Sequence, residues 1–282
     1  MTPQKHILVI QDLSCIGRCA LSTALPVLSC CGIQVTPLPT LLLSTHTGGF
    51  GEVYKRDLSE DLDAILAKWA ALPLRFDAIH VGYLAGEHQL PLVQRVLDAY
   101  RGPDTLLFVD PVMGDWGKRY TGVSTALADG FLDLCRQADL IFPNRTEAAL
   151  LLDQPYRKGA DQPAALLKQL QSLLALGAKG AVITGVSAGD GHIGAACLTQ
   201  GMAAPEMALS PQRQGSWPGT GDLFAATVES ALLLGRPLPE ACGIATQFLY
   251  QCLKDAPVDP KQSRFGAPFE RALPWLMRAL AL

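Results

Sequence analysis

Charge is scarce in these 282 residues, and none of it is gathered. Asp, Glu, Lys and Arg make up 17% of the chain, with 23 basic against 26 acidic side chains for a net charge of −3. No stretch concentrates Lys or Arg. That excludes a nucleic-acid face and an anionic-membrane patch, since both need clustered positive charge. Long apolar runs are missing too: Ala148 to Leu152 and Ala231 to Leu234 fall far short of the ~20 residues of a bilayer span. The first dozen residues hold Lys5, four apolar residues and then Asp12, too little for a signal peptide. Cys-x-x-Cys is absent, as are a P-loop and His-Glu-x-x-His, which removes the main support for a P-loop NTPase or a zinc protease. A soluble, cytoplasmic protein is expected.

What is present is core material, at 49% hydrophobic residues. A chain this size can bury a core without staples, so the eight cysteines are expected reduced, as small hydrophobes. Cys15 and Cys19, near a suspected site, leave a reactive role open. Strands are expected at His6–Gln11, Gln34–Thr40, Ala78–Val81, Leu106–Asp110, Leu140–Phe142 and Gly180–Thr184. Helical patterns fall between them at Arg18–Cys31, Leu58–Leu72, Gln89–Tyr100, Ser124–Gln137, Arg145–Leu152 and Gln162–Gly177. Leu90, Val93, Val96 and Leu97 space out one apolar helix face. Asp57-Leu-Ser-Glu60 reads as a helix cap. Strands alternating with helices imply parallel pairing through right-handed crossovers. After Thr184, Ile193–Thr199 and Pro205–Ser210 read as antiparallel strands, followed by helices at Asp222–Leu234, Leu238–Leu253 and Pro268–Leu280. The expected fold class is α/β: one three-layer α/β/α domain over 1–282 with a mostly parallel central sheet. Ligands in such sheets bind beyond the carboxyl ends of the strands.

Gly219-Thr220-Gly221-Asp222 opens an apolar helix after a polar loop. Free N–H groups of a first helical turn make an anion site, and Asp222 at its mouth could accept the proton of a hydroxyl attacking phosphorus. The bland reading, a glycine turn with Asp222 as a cap, stands equally well on this tetrapeptide alone. Asp110-Pro-Val-Met-Gly-Asp115 follows a strand, and its two carboxylates suit Mg²⁺ held through water beside phosphates, or an ordinary Asp-Pro turn. Asn144 and Glu147 fit a capping box or a metal's outer shell. Ser44 to Gly51 is a polar, Gly-rich segment that could cover a ligand or be a plain surface loop. Tyr83, after a strand, could stack on an aromatic ligand or pack; Thr184-Gly185 ends another strand and could meet a nucleotide. Gly185-Val-Ser187-Ala-Gly189 and Gly189-Asp-Gly191-His-Ile-Gly194 match hydrolase and dinucleotide strings, but a strand follows where each motif needs a helix.

Together these segments resemble the ribokinase-like superfamily and, within it, the pyridoxal kinase branch, from His6 to about Leu253. The resemblance rests on Ser-Thr-His-Thr-Gly at 44–48, Gly82-Tyr83, Asp110-Pro-Val-Met-Gly, Pro143-Asn144 with Glu147, and Gly219-Thr220-Gly221-Asp222. It implies an ATP- and Mg²⁺-dependent kinase for the 5′-hydroxymethyl group of a B6 vitamer, with a monovalent cation left open and a homodimer expected. Asp222 would be the base and Gly219, Thr220 and Gly221 the anion hole. Asp12, Ser14, His46, Thr47 and Tyr83 would meet the vitamer; Asp110, Asn144, Thr184 and Gly185 the nucleotide; Asp115 and Glu147 the metal. Two departures stand out: Asp12 where such kinases carry Ser, and Phe142 where Thr is frequent. A hydroxymethylpyrimidine kinase is the alternative, weakened by the single glycine in Asp12 to Gly17. The other is a non-catalytic binding module on the same fold.

Overall fold

A computed structural model describes residues 4–282; the first three residues of the stretch read for a leader lie outside the described residues. Its strands are β1 His6–Ile16, β2 Gln34–Thr45, β3 Lys55–Asp57, β4 Ala78–Val81, β5 Leu106–Val109, β6 Gly114–Asp115, β7 Lys118–Arg119, β8 Leu140–Ile141, β9 Gly180–Ser187, β10 His192–Thr199 and β11 Glu206–Pro211. The helices are α1 Leu21–Cys30, α2 Ser59–Trp69, α3 Leu90–Tyr100, α4 Thr125–Gln137, α5 Arg145–Leu151, α6 Pro163–Ala175, α7 Thr220–Leu233, α8 Leu238–Leu253, α9 Pro260–Ser263 and α10 Leu273–Ala279. Among the described residues no helix is long and apolar enough to cross a membrane.

Nine strands form one sheet in the order β11-β10-β9-β8-β5-β4-β1-β2-β3. Pairing from β2 through β9 is parallel, while β10, β11 and β3 add antiparallel edges. Alternation along a strand buries both faces. Ile7 and Val9 of β1 enter the cluster with α1, α7, α8 and α10, and Leu8 and Ile10 enter the one with α2, α3, α4 and α6. Hence the sheet lies between two helical layers, as the alternating pattern predicts. From β1 the chain moves one way to β2 and the other way to β4, so the sheet's switch point lies between β1 and β4.

Several boundaries depart from the sequence expectation. β1 and β2 run on to Ile16 and Thr45, past the expected ends at Gln11 and Thr40, so Ser44 and Thr45 belong to a strand and the loop begins at His46. α1 starts at Leu21, not Arg18, because Ala20 sits at φ 47 and ψ −134. At α2 the capping box is absent: Asp57 accepts from the Ser59 N–H at 2.8 Å, and no side chain bonds at the cap position itself. Asp110 and Phe142 follow their strands instead of ending them, α7 begins at Thr220, and α10 is shorter than Pro268–Leu280. The exposed β3, the β6–β7 hairpin and α9 carry no apolar periodicity that would announce them. The glycines from 185 to 191 make the end of β9 and its turn into β10, so neither Gly string precedes a helix.

Candidate active site

The residues singled out above gather at the carboxyl ends of the parallel strands. Asp12 sits at an irregularity in the β1–β2 ladder, where Gln11 pairs with Pro39 but Leu13 pairs with Leu42. Two β2 residues therefore oppose one on β1, a bulge that re-aims the side chain. Ser14 donates its hydroxyl to Asp12 Oδ2 at 3.2 Å. Tyr83, after β4, is partly buried on the other side of the switch point, and its carbonyl accepts from Thr40 Oγ1. A second bulge leaves Gly185 of β9 unpaired at φ 72, a conformation that favours glycine. Thr184 beside it bridges to Asn144.

Asp222 stands in the first turn of α7 and is partly accessible. Gly219 caps that helix in the left-handed region, and no side chain bonds to its first turn. The N–H groups of Thr220 and Gly221 therefore stay free for an anion. A side chain at Gly221 would meet nothing within 4 Å, so open space lies over those donors. Thr220 donates its hydroxyl to the Trp217 carbonyl at 3.1 Å, tying the preceding loop to the turn. The Ala20 N–H donates to the Asp222 carboxylate. Ala20's strained backbone, in a region that costs about 1–3 kcal/mol, aims that donor at the candidate base.

At the nucleotide end, Asn144 and Glu147 form the capping box: Asn144 Oδ1 accepts from Thr146 and Glu147, and Glu147 Oε2 accepts from the Asn144 N–H at 2.8 Å. Glu147 Oε1 also accepts from Met113 N–H at 3.0 Å, so helix α5 and the Asp110–Asp115 turn share one carboxylate. Asp115 is exposed and accepts from the Trp116 N–H. Phe142 is buried against Phe108. His46 is buried, its Nε2 on the Arg264 carbonyl at 2.5 Å and its Nδ1 accepting from Gly48 N–H. It thus pins the 46–51 loop to the segment after α9, while Thr47 is exposed on that loop. Cys19 is buried with its thiol pushed up by burial and by Asp222 and Asp12, which removes the thiolate a reactive role would need. All eight cysteines are free.

Acids dominate the electrostatics. Burial, and then the Asp222 charge, push Asp12 up to about 7. Burial lifts Glu147 to about 8 against its backbone donors, and lifts Asp110 well above the ordinary value together with Glu147 and Asp222. Asp222 is raised by burial, opposed by the Ala20 N–H and the His80 charge. Among the described residues none of Asp12, Asp110, Asp115, Glu147 or Asp222 has a Lys or Arg partner. Asp12 gives a direct test. Its folded value lies above the ordinary 3.8, so the native state holds the extra proton and stability falls as pH rises from about 4 to about 7. Asp12→Asn removes that loss. Its Tm should exceed the wild type's by clearly more at pH 8 than at pH 5; an equal difference at both would mean Asp12 is not raised.

Sequence reasoning passed over three residues here. Tyr120 lies where its phenol is raised by burial and by Asp115, Glu147, Asp110 and Asp222. His80 and Glu229 pair in the core at 2.6 Å. For these two a signal existed, a single histidine inside an apolar strand and a single acid inside an apolar helix.

Known proteins place the chain. The phosphomethylpyrimidine kinase family profile matches residues 28–265. A pyridoxine/pyridoxal/pyridoxamine kinase of Bordetella avium is 31% identical over 258 residues, 88% of this chain and 84% of its own. The crystal structure of Lactobacillus plantarum pyridoxal kinase superimposes with a TM-score of 0.87 at 34% identity, covering 98% of both chains. A Bacteroides thetaiotaomicron protein, named for phosphomethylpyrimidine kinase and crystallised with pyridoxal, gives 0.91 at 34% identity over 97% and 96% of the two chains.

Proposed function

The chain belongs to the pyridoxal kinases of the ribokinase-like superfamily, and from that membership we propose that it transfers the γ-phosphoryl group of ATP to the 5′-hydroxymethyl group of a B6 vitamer. One observation carries the reading. Asp222 lies close enough to Asp12 for its charge to raise that carboxyl, while the first turn of its own helix opens onto space that no side chain fills. A hydroxyl held there meets an acceptor and an anion hole at once.

Phosphoryl transfer is mostly positioning and charge stabilisation. Asp222 orients the hydroxyl and takes its proton late, because a loose transition state demands little activation of the nucleophile. The N–H groups of Thr220 and Gly221, with the helix dipole, hold the transferred charge. Asp12, hydrogen-bonded by Ser14, and Tyr83 flank the vitamer's place, with Asp12 suited to a pyridinium N–H or a 3-hydroxyl. Thr47 lies on the loop that His46 pins above it. Asp110, Asn144, Thr184 and Gly185 line the nucleotide's end.

Mg²⁺ fits this donor set. Among the described residues no three His, Cys, Asp or Glu side chains form a metal cage. That agrees with an ion that keeps its waters and rides on phosphates beside one or two carboxylates. Asp115, exposed, would hold the ion, and Glu147, committed to backbone donors, would act through water or by holding the turn. The ion would neutralise the phosphate oxygens in a site otherwise short of cations. A monovalent cation stays part of this proposal only as an additive to test. We read 1–282 as one kinase domain, pairing as a homodimer in the cytoplasm, on the family resemblance.

ADP release with Mg²⁺–ATP, offering pyridoxal, pyridoxine, pyridoxamine and hydroxymethylpyrimidine in parallel, tests the reading. Signal with a vitamer is expected. Signal with the pyrimidine alone would reassign the substrate, and silence from folded protein would leave a binding module.

A further inference from the structure

The loop after β2 is tied down by a side chain that the reaction as described does not use. Besides the bond from His46 to the Arg264 carbonyl, the Arg264 guanidinium lies over two rings, 5.1 Å from the centre of Phe50 and 5.2 Å from that of Phe265. Those rings meet edge-on at 5.3 Å, and Phe50 meets the His46 ring in the same way at 4.9 Å. Arg264 also reaches toward the Gly49 carbonyl at 3.5 Å, and a side chain at Gly49 would rest on its Cβ at 3.6 Å. The same segment touches the turn that opens α7. The Arg18 N–H donates to the Phe265 carbonyl at 2.9 Å, and Arg18 Nε meets Glu270 at 2.6 Å. Gly266, at φ 87, fits against the carbonyls of Arg18 and Pro218, which a side chain there would approach to 2.8 and 3.0 Å. Gly219, the cap of α7, fits against that same Arg18 carbonyl. The 46–51 loop, the 264–266 segment and the anion-hole turn are thus joined by an unbroken chain of contacts.

We propose that Arg264 is a positioning residue for the vitamer: seated over Phe50 and Phe265, it latches the loop that carries Thr47 to the chain flanking the anion-hole turn. The proposal rests on reading Thr47 and that turn as the two ends of the vitamer's place. A role in holding the layers together fits the cluster poorly. Among the described residues neither Phe50 nor Phe265 packs against either core cluster, so the contact joins two surface segments. Arg264 is exposed and, among the described residues, has no carboxylate partner, so the ring faces are what hold its charge. A planar guanidinium suits the task, because it lies flat on an aromatic face while its stem covers apolar surface. The loop also needs an outside hold. Gly48, Gly49 and Gly51 give it the residue that loses most conformational freedom on being ordered, and Gly49 and Gly51 stand at φ 82 and 76. A latch that orders the loop removes that cost from vitamer binding.

Arg264→Ala should raise the KM for the vitamer about tenfold, the size of losing two exposed cation–π contacts, while the KM for Mg²⁺–ATP and the Tm hold. Amide exchange across Gly48 to Gly51, followed without ligand, should quicken by a similar factor with the amides of β1 and β4 unmoved. Arg264→Lys keeps a cation over the rings and should restore part of both; Arg264→Met keeps only the stem and should restore neither. A packing role alone predicts that Met rescues as well as Lys and that Tm falls in step with the rise in KM. Either result overturns the proposal, as does a vitamer KM in Arg264→Ala that stays at the wild-type value. If wild-type protein turns over no vitamer, the functional reading fails and takes the latch with it; wild-type turnover that is indifferent to Arg264 overturns the latch alone.

Discussion

Asp222→Asn is expected to lower kcat with a B6 vitamer by about 10²–10⁴-fold while Mg²⁺–ATP still binds. The carboxylate is nearly isosteric with the amide, and the N–H donors of its turn come from the backbone, so the anion hole survives the substitution. What is lost is the acceptor for the hydroxyl's proton. The effect cannot be a packing loss, because Asp222 is partly accessible and its backbone donors, the N–H groups of Ala20 and of Asp222 itself, can bond to an amide oxygen as well. Single-turnover ADP formation, beside nucleotide binding followed by calorimetry, separates the two. Turnover within about tenfold of wild type would remove Asp222 as base.

The layered fold was legible because both faces of the sheet are buried. Ile7 to Ile10 and Ala78 to Val81 are apolar on every residue or nearly so, which marks a strand covered on both sides. The ends of β1 and β2 were less legible. Asp12, Ser14, Ser44 and Thr45 are polar, so a hydrophobic pattern stops several residues before the strand does. Polarity inside a strand thus reads as loop. The charged edge strand β3 was missed for a related reason: an exposed edge needs no apolar side chain.

The site divides in the same way. Asp110, Asn144, Thr184 and Asp222 were singled out because each reads in the sequence as the end or the start of an element, where α/β sheets hold their ligands. Asn144 and Glu147 presented two readings, and the capping box is realised in full without closing the metal reading: a carboxylate that fixes the Met113 N–H also fixes the turn carrying Asp115. His46 shows the limit of reading by segment. Its place on a polar loop suggested ligand contact, whereas both ring nitrogens are spent on the backbone of Gly48 and Arg264. The Asp12 bulge, the strain at Ala20 and the His80–Glu229 pair depend on residues far apart in sequence, and no local spacing announces them.

The two glycines of Gly219-Thr220-Gly221 should respond to the same substitution in opposite ways. Gly219 holds φ 77, where an L side chain costs about 1–2 kcal/mol. A methyl there would also run into the Arg18 carbonyl and crowd Cys19 Cα at 3.0 Å. Overpacking of that kind adds about 1–3 kcal/mol, so Gly219→Ala should lower Tm by about 10 °C, at 2–4 °C per kcal/mol in a chain of this size. Gly221 has an ordinary helical backbone and nothing within 4 Å of a would-be side chain. Alanine there is a better helix former by about 1 kcal/mol, so Gly221→Ala should melt slightly higher than the wild type. Its methyl nevertheless stands over the free N–H groups and should cost about 10²–10³ in kcat, the loss typical of one anion-hole donor. A rise in Tm paired with that fall in turnover would mean the glycine is kept for the phosphoryl group and not for the fold. If Gly221→Ala melts lower and retains its rate, the open space above the turn is not where phosphate goes.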